Sequence, residues 1–137
     1  MELLGLGLDI VELDRIRALY EHHGERFLAR VYTPPEQERA RQMRDPTSFL
    51  AGRFAAKEAI LKMLGTGLSG GIRFQDVSVL RQLSGAPRVY LAGQALLEAR
   101  NMGIGRILLS ISHSRELAVA QALGLRGDSD ELREPRP

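Results

Sequence analysis

The chain has 137 residues, of which 44% are hydrophobic and 26% charged, and its formal net charge at pH 7 is +2. These values are typical of one globular domain whose hydrophobic core is stable without disulfides or a structural metal. The absence of cysteine excludes disulfides and thiolate metal sites and is consistent with a reducing cytoplasm. No apolar run approaches the roughly 20 residues of a membrane span, and no run of like charges indicates a nucleic-acid binder. We therefore expect a cytoplasmic protein with neither membrane nor nucleic acid as a partner.

The N-terminal part begins with an apolar run, residues 2–9, that predicts a short buried strand with Asp9 at its end. A carboxylate at a strand end is often presented to a cleft, although Asp9 could also cap the next helix. Three short helices are expected next, over residues 12–20, 25–31 and 34–43. The third has Thr33 as its cap and Glu36 three residues later, which is a capping-box pattern.

The clearest helix follows the start signal at residues 46–48 and ends at Gly65. Glu58 and Lys62 lie one turn apart on one margin of its apolar stripe. The only two lysines of the chain, Lys57 and Lys62, are in this helix, and the other 17 basic residues are arginines. An ammonium and a guanidinium are not interchangeable at a binding site. This distribution favours a functional site over an ordinary exposed Glu–Lys pair.

The C-terminal half starts with a glycine-rich loop, residues 65–71, that could wrap a ligand or serve only as a connector. The elements expected after it are a hairpin of residues 74–80 and 87–91, a helix over 92–102, and strands over 106–113 and 117–123. The last of these also fits a helix, because alanine and leucine suit both. The polar residues 126–137 predict a disordered tail. The fold class predicted is α+β, with an antiparallel sheet packed on a long central helix and one domain over residues 1–125.

Two carboxylates, Asp9 and Glu58, and one lysine, Lys62, are the candidates for chemistry. Carboxylates with water and phosphate oxygens are the ligands that Mg²⁺ prefers, and a nearby lysine would neutralise phosphate charge. This set points to phosphoryl chemistry, although spacing alone leaves open whether the groups converge. His113, beside alternating serines at a strand end, is either a structural histidine or part of the same site.

Three segments carry a family resemblance: Gly7–Ile10, Phe49–Ala59 with the Gly65–Gly67 turn after it, and Ser110–Ser114. They resemble, in the same order, the bacterial holo-acyl-carrier-protein synthases, which are the small members of the 4′-phosphopantetheinyl transferase superfamily. The resemblance extends from residue 3 to about residue 124.

The resemblance implies transfer of the phosphopantetheine arm of coenzyme A to a serine of apo-acyl carrier protein, with release of adenosine 3′,5′-bisphosphate, in fatty acid biosynthesis. It implies Asp9 and Glu58 as Mg²⁺ ligands and catalytic residues, with Lys62 assisting. Glu58, directly or through a water that it orients, is the hypothesised proton acceptor. The coenzyme A site implied by the resemblance consists of Lys62, Gly65, Arg53, Ser112 and His113.

The resemblance also implies that Arg15 faces the acidic carrier protein and that the chain forms a homotrimer with its sites between subunits. Two other functions remain open from the residues alone. One is a metal-dependent phosphohydrolase that uses the same carboxylates but lacks the extra ligands that two-metal hydrolysis wants. The other is a non-catalytic basic adaptor for protein or nucleic acid, in which Glu58 and Lys62 are only a surface pair.

Overall fold

The computed structural model describes residues 1–135. The elements, in chain order, are β1 (Leu3–Glu12), α1 (Leu13–His23), α2 (Glu25–Val31), α3 (Pro34–Arg41), α4 (Thr47–Leu64), β2 (Val77–Arg81), β3 (Pro87–Leu91), α5 (Gly93–Met102), β4 (Ile104–His113) and β5 (Leu117–Arg126). Short 3₁₀ turns cover Phe74–Asp76 and Ser129–Leu132. The α+β class with antiparallel sheets is confirmed. Within the described part of the chain, no helix is long and apolar enough to cross a membrane.

The main sheet has three antiparallel strands in the order β1–β5–β4. The predicted pairing of the last two strands is confirmed, and the helical alternative for residues 117–123 is wrong. The reason is burial with a period of two, because Ala118, Ala120 and Ala122 are all fully buried on one face of β5. The first strand is longer than predicted and continues to Glu12. Asp9 therefore lies inside β1 rather than at its end.

Helix α4 lies against β1 and β5 so closely that glycine is required in the strand. A Cβ atom on Gly7 would lie 1.8 Å from the carbonyl oxygen of Ala59, and one on Gly5 would lie 2.6 Å from that of Met63. Backbone thus packs directly on backbone at this interface. Along α4 from Leu50 to Leu64, every residue is buried except Glu58 and Lys62. Glu58 and Lys62 therefore mark the one side of this stretch of the helix that reaches solvent.

The predicted hairpin is confirmed as the pair β2 and β3. Its first strand begins at Val77 rather than at Phe74, because residues 74–76 form a 3₁₀ turn. The buried Asp76 carboxylate caps the start of that turn by accepting a hydrogen bond from the Arg73 N–H at 3.1 Å.

The segment 126–137, which the sequence predicts to be a disordered tail, begins with residues that pack on the rest of the domain. Arg126 is the last residue of β5, and the turn Ser129–Leu132 packs beside β4 with Leu132 only 3% exposed. Arg100 donates to the Ser129 hydroxyl and to the Asp130 carboxylate, both at 3.2 Å. The segment is polar on average, so its sequence does not indicate that one leucine and the hydrogen bonds of one arginine hold it in place. The last two residues, 136 and 137, lie outside the described part.

Candidate active site

Asp9 and Lys62 meet at the interface between β1 and α4. Asp9 of β1 pairs with the buried Ala120 of β5, so their side chains lie on the same face of the sheet. The Asp9 carboxylate therefore points towards α4. The Lys62 Nζ donates to Asp9 Oδ1 at 2.9 Å and to the Leu8 carbonyl at 3.1 Å. The Asp9 side chain is 14% exposed and that of Lys62 is 53% exposed. A nearly buried carboxylate is therefore covered by a cation that reaches it from solvent.

Glu58 lies one turn before Lys62 on the same side of α4 and completes the cluster. Burial and the neighbouring Asp9 carboxylate raise the pKa of Glu58 above its ordinary value of 4.5, while Lys62 and Arg15 act in the opposite direction. Two carboxylates thus approach each other in a partly desolvated place. Such an arrangement is unfavourable without a cation and is common at functional sites.

Arg15, predicted to face the carrier protein, lies near this cluster, because its charge acts on Glu58. Its guanidinium carbon is 5.6 Å from the centre of the Phe54 ring, a cation–π arrangement. Phe54 in turn packs on Phe74, with ring centres 5.7 Å apart. The Phe54 ring thus holds the Arg15 guanidinium near enough to Glu58 to lower the pKa of that carboxyl.

Gly65 ends α4 three residues after Lys62. Its φ of 79° is in the left-handed region, and its N–H donates to the Lys62 carbonyl at 2.9 Å. No atom outside its chain neighbours lies within 4 Å of the position that a Cβ would take. The loop that follows therefore presents open backbone next to the lysine.

Three predicted residues lie apart from this cluster within one chain. Arg53 is 9% exposed on another side of α4, in a pocket of about 260 Å³ that also contains Arg39 and Arg81. Burial lowers the pKa of Arg53, and its Nε has no partner among the described residues. Ser112 lies on the outer face of the sheet, and His113 is exposed at the end of β4.

The residues of this cluster lie within a segment that matches a known protein family. The family described as the 4′-phosphopantetheinyl transferase superfamily matches residues 5–122, which include Asp9, Glu58 and Lys62.

The chain belongs to this family.

The relatives of this phosphopantetheinyl transferase indicate which branch of the family it resembles. It is 46% identical over 123 residues to the holo-[acyl-carrier-protein] synthase of Halothermothrix orenii, a match that covers 90% of this chain and 98% of that one. It is 44% identical over 118 residues to the protein of the same name from Maridesulfovibrio salexigens, with 86% and 94% covered. The recognition of a holo-acyl-carrier-protein synthase is confirmed.

Solved structures agree with the fold of this transferase. The synthase of Neisseria meningitidis superposes with a TM-score of 0.82 at 35% identity, covering 91% of this chain and 100% of that one. The synthase of Bacillus anthracis in complex with CoA (3′,5′-ADP) superposes with a TM-score of 0.76 at 35% identity, covering 91% and 98%.

Sequence reasoning missed one polar feature of the transferase, the ion pair between Lys57 and Glu36. Both side chains are completely buried, with Nζ 2.7 Å from Oε1. The scarcity of lysine could have indicated it, since Lys57 is one of only two lysines in the chain and the sequence assigns it no function. The sequence predicts for Glu36 only a place in a capping box, and it does fill that place by accepting the Thr33 N–H at 2.8 Å.

Proposed function

We propose that this chain transfers the 4′-phosphopantetheine arm of coenzyme A to a serine hydroxyl of an apo-acyl carrier protein in a Mg²⁺-dependent reaction. The arrangement of Asp9, Glu58 and Lys62 carries the proposal. The relatives named as synthases of holo-acyl carrier protein, and the solved synthase in complex with CoA (3′,5′-ADP), support the choice of substrates.

The donor set at β1 and α4 fits Mg²⁺. Asp9 and Glu58 supply two hard oxygen ligands whose like charges a metal cation would offset. Mg²⁺ commonly binds to one or two carboxylates and completes its octahedron with water and substrate phosphates. Among residues 1–135, no group of three or more histidine, aspartate or glutamate side chains could hold a metal ion. When bound, Mg²⁺ would neutralise pyrophosphate charge as a Lewis acid.

The reaction is a displacement at the phosphorus atom that carries the pantetheine arm. The serine oxygen forms a new bond to that phosphorus, and the bond from phosphorus to the oxygen of adenosine 3′,5′-bisphosphate breaks. The Glu58 carboxylate accepts the serine proton, directly or through a water that it orients. The Lys62 ammonium stabilises the charge that gathers on the leaving phosphate.

We further propose that the protein is a homotrimer whose subunits meet through the outer face of the main sheet. The large apolar side chains exposed on that face are Leu6, Leu8, Ile10 and Leu108. Leu6, Leu8 and Ile10 are each more than half exposed. A contiguous apolar sheet face of this kind is unusual on a monomer and is typical of a permanent interface.

A subunit interface would also reunite the residues that lie apart in one chain. Ser112 belongs to the proposed interface, in register with Val119 of β5 and, across it, Ile10 of β1. In this arrangement one subunit contributes Asp9, Glu58, Lys62 and Gly65 to each coenzyme A site. Arg53, Ser112 and His113 come from its neighbour.

The acidic carrier protein would dock where Arg15 is held on the Phe54 ring, beside the reacting groups. A basic docking residue next to the base would guide the serine to Glu58. The proposed setting is fatty acid biosynthesis in the cytoplasm, with residues 1–125 forming one transferase domain.

A mass-spectrometric transfer assay tests the proposal. The protein is incubated with coenzyme A, Mg²⁺ and an apo-acyl carrier protein, with and without EDTA. The expected result is a phosphopantetheine adduct on the carrier that EDTA abolishes and added Mg²⁺ restores. An adduct that persists in EDTA would remove the metal from the proposal. No adduct with several carriers, together with no binding of coenzyme A, would overturn the proposal as a whole.

A further inference from the structure

Lys57 is held in a fully buried polar network behind the active-site helix. Its Nζ lies 2.7 Å from Glu36 Oε1, donates to the Phe74 carbonyl at 3.3 Å, and donates also to the Val77 carbonyl. An ammonium has three N–H donors, so these three acceptors account for all of them. The network joins the middle of α4 to the turn before β2.

Glu36 extends the same network to α3 and the hairpin. Its Oε1 accepts the Thr33 N–H at 2.8 Å, and its Oε2 accepts the Val79 N–H at 2.7 Å. Each charged atom of the pair therefore has partners, which is the condition under which a buried ion pair is tolerated. A planar guanidinium does not fit three acceptors arranged around one nitrogen. This accounts for a lysine at position 57 in a chain that otherwise prefers arginine.

The position of this network relative to Glu58 gives it a functional consequence. Residue 57 is fastened to the hairpin, and residue 59 is pressed against Gly7 of β1. Glu58 thus lies between two immobilised neighbours. The like charges of Asp9 and Glu58 disfavour their approach, and these two contacts oppose any rotation of α4 that would turn Glu58 away from Asp9.

We propose that Lys57, held by Glu36 and the Phe74 and Val77 carbonyls, is a positioning residue that fixes the rotation of α4 and keeps Glu58 facing Asp9. It touches no substrate and acts only through Glu58. The inference rests on the proposed magnesium site, because its consequence is a preorganised pair of carboxylate ligands.

The test uses the double variant Lys57→Met with Glu36→Gln, which removes both buried charges and leaves no carboxylate unpaired. Two titrations are made on the full chain: the thermal unfolding midpoint against Mg²⁺ alone, and the transfer rate against Mg²⁺. The expected result is a folded protein that needs about 10–100-fold more Mg²⁺ in both titrations, as for other residues that orient metal ligands. Val89→Ala, a core truncation in β3, is the matched control and should lower the midpoint without changing either Mg²⁺ dependence.

A folded double variant with the wild-type Mg²⁺ dependence would overturn the inference and leave the proposed function intact. A wild-type protein that shows no Mg²⁺ dependence in either titration would overturn the proposed magnesium site, and the inference with it. If the double variant does not fold, Lys57→Arg takes its place. It keeps the charge but not the geometry, and an unchanged Mg²⁺ dependence in that variant would equally overturn the inference.

Discussion

The Lys62 ammonium lies 2.9 Å from the Asp9 carboxylate and covers it from the solvent side. The aspartate is nearly buried, whereas the lysine side chain is more than half exposed. In the proposed reaction this lysine can leave Asp9 as a cation binds there and turn to the phosphate groups. In that proposal one ammonium would stabilise the Asp9 carboxylate before substrate arrives and the phosphate charge afterwards.

Glu58→Gln should abolish transfer while leaving coenzyme A binding partly intact. An amide cannot accept the serine proton, but Lys62 and the open loop after Gly65 remain to hold the substrate. Carrier mass measured after incubation reports transfer, and calorimetric titration with coenzyme A reports binding. Glu38→Gln, on the exposed side of α3, serves as the control. Near-normal transfer by Glu58→Gln would exclude Glu58 as the base.

The stability of the metal-free protein should depend on Glu58 in a predictable direction with pH. Because the folded-state pKa of Glu58 is raised above 4.5, its charged form is disfavoured in the folded protein, and the stabilisation from its protonated form is lost as pH rises through the raised value. In EDTA at pH 7, Glu58→Gln should therefore unfold at a higher temperature than wild type. The difference should shrink as the pH falls through the raised pKa. A variant that is less stable than wild type at pH 7 would contradict this assignment.

Gly7→Ala and Gly52→Ala should differ sharply in stability. The added Cβ on Gly7 meets the rigid backbone of Ala59 at 1.8 Å, whereas on Gly52 it meets only the Ile111 Cγ2 methyl at 3.1 Å. We expect a loss of about 3 kcal/mol or more for Gly7→Ala, because the helix backbone cannot yield. For Gly52→Ala, a gain in helix propensity of up to about 1 kcal/mol offsets the contact. Urea unfolding of both variants tests this, and equal losses would mean that β1 and α4 are packed less closely than described.

Active sites shared between subunits predict complementation between two defective chains. Glu58→Gln removes the base from one side of the proposed site, and His113→Ala alters the other side. In randomly mixed trimers about one quarter of the sites would combine an intact Glu58 with an intact His113. The transfer rate of the co-refolded mixture should therefore exceed that of either variant refolded alone. Light scattering gives the trimer mass, and a mixture no more active than its components would place both residues in one subunit's site.

The sequence by itself predicted most of the helices and strands, among them the central helix with its polar pair. A hydrophobic period of two or of 3.6 residues is a local property of the sequence, and it predicted the hairpin, α5 and the pairing of the last two strands. Local pattern failed where a residue's role depends on a distant neighbour. Leu132 looks like part of a polar tail until it is seen packing beside β4.

Only the tertiary structure decided which polar groups meet. Asp9 and Lys62 are 53 residues apart, and their contact depends on two glycines that let β1 lie directly on α4. Lys57 and Lys62 lie on the same helix, yet one is completely buried against Glu36 and the other reaches solvent beside Asp9. Their functions separate because side chains about 140° apart around a helix face different neighbours, and those neighbours come from other parts of the chain.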